Sequence, residues 1–314
     1  LDAVLSRIDS DLDAATDRLM EFLRIPSIST DPAYKADVDR AADWLVEDLR
    51  SIGIEAEKRP TAGHPMVVGH VGADADAPHV LFYGHYDVQP VDPLNLWHRD
   101  PFDPAIEETD KGRVIRGRGA SDDKGQLMTF VEACRAWAAV NGSLPCRITF
   151  FFEGEEESGS PSLVPFLEAN KEELKADLAL VCDTSMVSRG VPSIASQLRG
   201  MLKDEFTITG PRIDLHSGHY GGPGLNPLRE IARIVSSFYD EETGRVAVDG
   251  FYEGVHEVPE DQLRQWQGCG FDEQDYLSSV GYSQPHGEKG YSTLEQQWAR
   301  PTLEVNGLWG GYNG

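Results

Sequence analysis

Residues 147–152 read R-I-T-F-F-F, an apolar run of strand length that lacks the alternation of a strand with one wet face. A segment of this kind is buried on both faces, which places it inside a sheet covered by helices on each side. It opens directly onto E-G-E-E-E-S-G-S, so Glu155, Glu156 and Glu157 crowd its carboxyl end. A helical stretch at 162–174 follows, and then A-D-L-A-L-V-C-D, a second strand expected to be buried, ending in Asp183. Strand, helix, strand with short connections is a βαβ unit, so the two strands are parallel and their acidic ends share one edge of the sheet. That edge is where open α/β sheets bind ligands.

Two more stretches point to the same place. V-L-F-Y-G-H-Y-D-V, residues 80–88, is another apolar run, and it ends in His85 and Asp87 two positions apart. A histidine that binds a metal through one ring nitrogen needs the other nitrogen held, and Asp87 is placed to accept that second N–H. The same spacing also occurs in ordinary turns. R-V-I-R-G-R-G-A-S-D-D-K-G, residues 113–125, runs from strand through a glycine-broken turn into a helix starting near Asp123, with Leu127, Phe130, Val131, Cys134 and Trp137 on its inner face. Asp122 is then either a helix cap, for which aspartate is favoured, or a ligand. The glutamate run also has a plain reading as a solvated face. At the end of a buried strand, however, three carboxylates repel one another unless a cation offsets them. His85, Asp122, Glu156, Glu157 and Asp183 can converge on one edge.

Ahead of these segments, apolar residues from Val4 to Leu23 recur at helical spacing until Pro26. A second amphipathic helix carries Val38, Ala41, Leu45, Leu49 and Ile52 and is closed by Gly53. Strand-like I-E-A-E-K-R and M-V-V-G-H-V come next. Beyond residue 197 the texture changes. Residues 201–210 alternate like a half-exposed strand, D-L-H-S-G-H-Y-G-G-P-G-L-N-P is a glycine-rich loop, and Asn226 with Pro227 opens a helix faced by Leu228, Ile231, Val235 and Phe238. The expected organisation is a first α/β domain over 1–197 and a second, α+β domain over 198–314.

Lys plus Arg number 28 against 53 Asp plus Glu, a formal charge of -25, which argues against nucleic acid or an anionic membrane as partner. No apolar run reaches membrane length and no charged-then-apolar leader is visible, although the first residue is Leu. The four cysteines, Cys134, Cys146, Cys182 and Cys269, have no C-x-x-C spacing, so reduced thiols and a cytoplasmic location are expected.

With H-Y-D, G-R-G-A-S-D-D-K-G, E-G-E-E-E-S-G-S and V-C-D in this order, the chain resembles the M20 family of di-zinc metallopeptidases. Y-G-H-Y-D-V-Q-P and D-L-H-S-G are most similar to its carnosinase-like dipeptidase branch. The resemblance implies a zinc-aminopeptidase-like, mixed and mostly parallel sheet flanked by helices, with an inserted α+β lid domain through which the protein forms a homodimer. It implies that His85 and Asp183 hold one zinc, Glu157 the other, and that Asp122 bridges both. Asp87 would orient His85 and Glu156 would act as general base, with a cis peptide between Asp122 and Asp123. His216 in the lid loop, and Asn226 after it, would bind substrate. The implied reaction is dipeptidase- or carboxypeptidase-type hydrolysis of dipeptides or short peptides by a water between two zinc ions, with manganese or cobalt as possible substitutes. The same family contains deacylases of small N-acyl amino acids.

Family members of this kind carry a further stretch with a second zinc-binding histidine, whereas this sequence ends at G-L-W-G-G-Y-N-G. The expectation for these 314 residues is therefore at most one tightly held zinc, exposed apolar sheet surface, and little or no peptidase activity. A chain that binds metal or a partner without turnover is the competing reading. Glu156 speaks against it, since metal binding alone does not require a base.

Overall fold

The computed structural model describes all residues except 73–75, 111, 189 and 312–314. It divides into two compact units, Leu1–Thr184 and Ser185–Gly314. The sequence texture changes somewhat later, near residue 197.

The first unit opens with α1 (Asp2–Leu23) and α2 (Lys35–Ser51), the latter burying Val38, Ala41, Ala42, Leu45, Val46 and Leu49 as one stripe. Then come β1 (Glu55–Arg59), β2 (Met66–Val71) and β3 (His79–His85), followed by an antiparallel hairpin of β4 (Ala105–Thr109) and β5 (Gly112–Arg116). Helix α3 (Lys124–Asn141), β6 (Arg147–Glu153), α4 (Leu163–Ala169) and β7 (Leu178–Val181) complete the unit. The five-stranded sheet has the order β1-β2-β6-β3-β7. β2 is antiparallel to both β1 and β6, whereas β3 runs parallel to both β6 and β7. The carboxyl ends of β6, β3 and β7 therefore lie together, as the βαβ reading requires.

Strand β6 is the axis of the core. Its side chains alternate between two apolar environments. Phe150 and Phe152 pack with Phe22, Leu45, Leu49, Leu127 and Val131 on one face, and Phe151 packs with Met66, Val68, Leu174 and Phe166 on the other. β7 differs from expectation: Leu178 and Val181 are 53% and 52% exposed. Among the described residues it is the outermost strand, paired with β3 alone, and an apolar sequence buries itself only where elements cover it. Helix α4 stops at Ala169, short of 174, because Asn170 closes it by donating its side-chain amide to the Phe166 carbonyl at 2.8 Å.

Lys124, in the D-D-K-G segment, is fully buried and joins two helices. Its Nζ donates to the carbonyls of Phe22 at 3.1 Å and Ile25 at 2.7 Å, at the C-terminal end of α1, and sits 4.6 Å from the Phe22 ring centroid. Burial lowers its pKa to about 7 from an ordinary 10.5. Between these two values the unfolded chain holds a proton that the folded chain does not, so Lys124's contribution to stability rises with pH across that window, by at most about 1.4 kcal/mol per unit. Subtracting the stability of Lys124→Met from that of the wild type should expose this rise, measured by urea unfolding at several pH values. A pH-independent difference would show that the ammonium stays charged in the fold.

The second unit contains α5 (Ser217–Tyr220), α6 (Pro227–Ser237), α7 (Glu260–Gln267), α8 (Glu273–Ser279) and α9 (Thr293–Trp298). Buried Arg300 ties it together locally, donating to both oxygens of Glu288 at 3.0 Å while its guanidinium stacks 4.1 Å from the Tyr291 ring centroid. Among the described residues, 201–210 form no strand, contrary to the alternating pattern. Alternation makes a strand only where a neighbour supplies the ladder bonds. No described helix is long and apolar enough to cross a membrane.

Candidate metal centre

His85 is the last residue of β3, and its side chain is fully buried. Nε2 lies 3.0 Å from Asp122 Oδ1 and 3.8 Å from Asp183 Oδ2. Nδ1 faces Asp87, 3.1 Å from its main-chain oxygen and 3.4 Å from carboxylate Oδ1. Both acceptors on that side belong to Asp87, and the nearer is the carbonyl. With Nδ1–H donated to Asp87, Nε2 is the nitrogen left for a cation.

The segment after β3 is held from three directions. Tyr86 N donates to the Glu153 carbonyl at 2.9 Å, Val88 N donates to the Ser27 carbonyl at 2.9 Å, and Ser27 Oγ donates to the Tyr86 carbonyl at 2.6 Å. The buried Tyr86 ring crosses so close to Gly154 that a Cβ there would lie 2.5 Å from it, which is why glycine stands between Glu153 and the acidic run.

The acidic run, a single surface to sequence reasoning, is divided by the fold. Glu153 and Glu155 point inward. Glu153 accepts hydrogen bonds from Tyr83 Oη and Ser160 Oγ, and Glu155 accepts from the N–H groups of His64 at 2.8 Å and Ser162 at 3.1 Å. Glu156 and Glu157 begin a 3₁₀ turn, Glu156–Ser158, whose N-cap residue makes no side-chain cap bond. Asp87 supplies it from across the sheet edge. Its fully buried carboxylate accepts Glu156 N–H on Oδ1 at 3.2 Å and Glu157 N–H on Oδ2 at 3.0 Å. Gln89, unmarked in the sequence reading, donates to Glu157 Oε2 at 2.6 Å.

Two groups of donors result, each with its ligand atoms within 4.8 Å of one another: His85, Asp122 and Glu157, and His85, Glu156 and Asp183. All five residues expected at the sheet edge are thus brought together. The grouping differs from the implied roles in placing Glu156, the residue read as a base, within ligating reach. The peptide between Asp122 and Asp123 is cis. Neither aspartate caps α3. Asp123 is the N-cap residue but makes no side-chain cap bond, and its carboxylate turns instead to the His85 N–H at 3.0 Å.

The electrostatics are those of a cation site. Burial raises the carboxyl pKa values of Glu156, Glu157 and Asp183, and mutual repulsion adds to it: Glu157 and Asp183 act on Glu156, Asp122 on both Glu157 and Asp183. Burial opposes the imidazolium of His85, but the Asp87 carboxylate overrides it and holds that pKa up at about 10. One imidazole and four carboxylates without a thiolate suit a divalent ion such as zinc or manganese. Both donor groups draw on His85, and one ring nitrogen ligates one ion. The protein is therefore expected to retain one zinc per chain through dialysis against a weak chelator, and to take up a second only at much higher free zinc. Atomic-absorption analysis returning two retained zinc ions would contradict this.

His216 and Asn226 belong to the second unit, where each caps a helix. His216 Nδ1 accepts Gly218 N–H at 2.9 Å, which puts the ring proton on Nε2 and leaves it an exposed donor. Asn226 Oδ1 accepts Leu228 N–H at 2.9 Å, leaving the amide nitrogen to donate.

Comparison with known proteins agrees with this architecture. A Cys-Gly metallodipeptidase, dug1 of Schizosaccharomyces pombe, is 31% identical over 331 residues, covering all of this chain and 68% of the relative. The human Beta-Ala-His dipeptidase is 28% identical over all of this chain and 64% of its own length. The structure of the di-peptidase Dug1p from Saccharomyces cerevisiae superposes with a TM-score of 0.82 at 27% identity, covering 99% of this chain and 67% of that one. The model of peptidase family M20/M25/M40 matches residues 81–302, a span that opens in β3 and takes in every residue of the centre, and the chain belongs to that family.

Proposed function

We propose that the protein is a zinc-dependent hydrolase of dipeptides and other short peptides. The observation that carries this reading is the convergence of His85 with Asp122, Glu156, Glu157 and Asp183 at the carboxyl ends of parallel strands. The Cys-Gly and Beta-Ala-His dipeptidases among its relatives support dipeptides as the substrate class. When bound, zinc would lower the pKa of an attacking water and polarise the scissile carbonyl. Glu156, its pKa raised by burial and by Glu157 and Asp183, would serve as the base that accepts a proton from the attacking water and returns it to the leaving amine. Asp87 keeps His85 in the Nε2-ligating tautomer and fixes the turn that carries Glu156 and Glu157. His85, Asp122 and Asp183 are the residues that would hold a tightly bound zinc, and Glu157 with Asp122 would hold a second. His216, whose Nε2 is an exposed donor, and Asn226, whose amide nitrogen remains a donor, would bind substrate, as the family resemblance implies.

The second unit is proposed as the lid and dimerisation domain. Support comes from α6, which carries Leu228, Ile231, Ile234 and Val235 yet buries none of its residues. Four free cysteines support a reducing, cytoplasmic setting.

The test is hydrolysis of a panel containing Cys-Gly, β-Ala-His and N-acetyl amino acids by metal-stripped and zinc-restored protein. Cleavage of the free dipeptides, at whatever rate, is expected to vanish on stripping and return with zinc. Cleavage indifferent to stripping would overturn the reading, preferential cleavage of N-acetyl substrates would assign a deacylase, and bound zinc without turnover would assign a non-catalytic metal protein.

A further inference from the structure

A second buried aspartate sits beneath the centre, outside all the ligand and base roles above. Asp123 is fully buried. Its Oδ2 accepts the backbone N–H of His85 at 3.0 Å, and the thiol of Cys182 lies 3.3 Å from the same oxygen and 3.7 Å from Oδ1, with the Tyr83 carbonyl as a second acceptor at 3.3 Å. Asp123 follows Asp122 in the chain, and Cys182 precedes Asp183. One carboxylate therefore touches or adjoins the three backbone segments that carry His85, Asp122 and Asp183, at the end of β3, the start of α3 and the end of β7. Gly84 makes the room. A Cβ there would stand 2.8 Å from Asp123 Oδ2 and 2.8 Å from Cys182 Sγ. A carboxylate without solvent must find donors on its oxygens, and here a main-chain N–H and a thiol meet that need, so their positions are tied to its own.

We propose that Asp123 is a positioning residue for metal binding, fixing the spacing among His85, Asp122 and Asp183 by holding their three segments at a common point. It acts through those residues and contacts neither the ion nor the substrate. The inference rests on the reading of the three as zinc ligands. Groups that orient ligands change metal affinity by about 10–100-fold when removed, because a ligand displaced by a fraction of an ångström no longer matches the ion's preferred geometry.

The experiment measures zinc affinity by chelator competition and the visible absorption of the cobalt(II) protein, which reports coordination geometry. It compares the wild type with Asp123→Ala, Asp123→Asn and Cys182→Ala, each corrected for the folded fraction. Asp123→Ala is expected to weaken the tight zinc about 10–100-fold and to alter the cobalt spectrum. Asp123→Asn retains an oxygen for the His85 N–H and should recover most of the affinity. Cys182→Ala, a mild change that reports even if Asp123→Ala fails to fold, should alter the cobalt spectrum by freeing the Asp183 segment. A purely structural role predicts lower stability with unchanged affinity and spectrum in the folded fraction, and that result would overturn the proposal. So would an Asn variant as weak as the Ala variant, or an unaltered Cys182→Ala spectrum. A wild type that binds neither zinc nor cobalt would overturn the ligand reading itself, and the proposal with it.

Discussion

Asp87→Ala is expected to cost about 3–5 kcal/mol of stability and about 10–100-fold in zinc affinity, although Asp87 is not itself a ligand. The size follows from how much rests on one buried carboxylate. It accepts the N–H groups of Glu156 and Glu157, which otherwise begin a 3₁₀ turn with no side-chain cap, and it is the near counter-charge to His85. Alanine leaves two donors without acceptors and a buried imidazole without its carboxylate partner, and the turn that presents Glu156 and Glu157 loses its anchor. Asp87→Asn should fall between, because one amide oxygen can serve one of the N–H groups while the amide nitrogen faces the other, donor against donor. Urea unfolding gives the first quantity and chelator competition the second. An alanine variant within 1 kcal/mol of wild type and with unchanged zinc affinity would show that the acidic turn is held by other means.

The features that define the sheet edge were legible in the sequence because they follow from pattern. The near-continuous apolar run at 147–152 is of the kind expected for a strand with two covered faces, and the structure places Phe150 and Phe152 on one face and Phe151 on the other. His85, Asp122, Glu156, Glu157 and Asp183 were identified because each ends or follows such an element. Features set by tertiary neighbours were not legible. The run at 178–181 is as apolar as a buried strand, but burial depends on what lies beyond it, and β7 is an edge. Alternation at 201–210 promised a strand, and no ladder partner stands beside it among the described residues. The division of the glutamates into inward Glu153 and Glu155 and outward Glu156 and Glu157 depends on Tyr83, Ser160, His64 and Ser162 reaching them from elsewhere in the fold. The cap role weighed in the sequence was that of Asp122, and Asp123 carried no signal beyond marking where the helix starts; the structure makes Asp123 the N-cap residue, without a side-chain cap bond. Gln89 could have been found from its place two residues beyond Asp87, but nothing in the sequence tells which carboxylate it serves.

The two outward glutamates present the sharpest contrast, since adjacent residues of the same chemistry are assigned different work. Glu157 shares a donor group with Asp122 and is steadied by Gln89 at 2.6 Å, as befits a ligand that must hold one orientation. Glu156 stands within ligating reach of His85 and Asp183, yet its raised pKa suits a group that must accept a proton and release it again. Zinc titration of Glu156→Gln beside Glu157→Gln, with Cys-Gly turnover read in parallel, tests this division most directly. Glu156→Gln is expected to keep the wild-type zinc isotherm and lose all turnover, while Glu157→Gln keeps the tight step and loses the weaker one. A tight step weakened tenfold or more in Glu156→Gln, or equal zinc loss in the two variants, would make Glu156 a ligand and leave the centre without the base assigned to it.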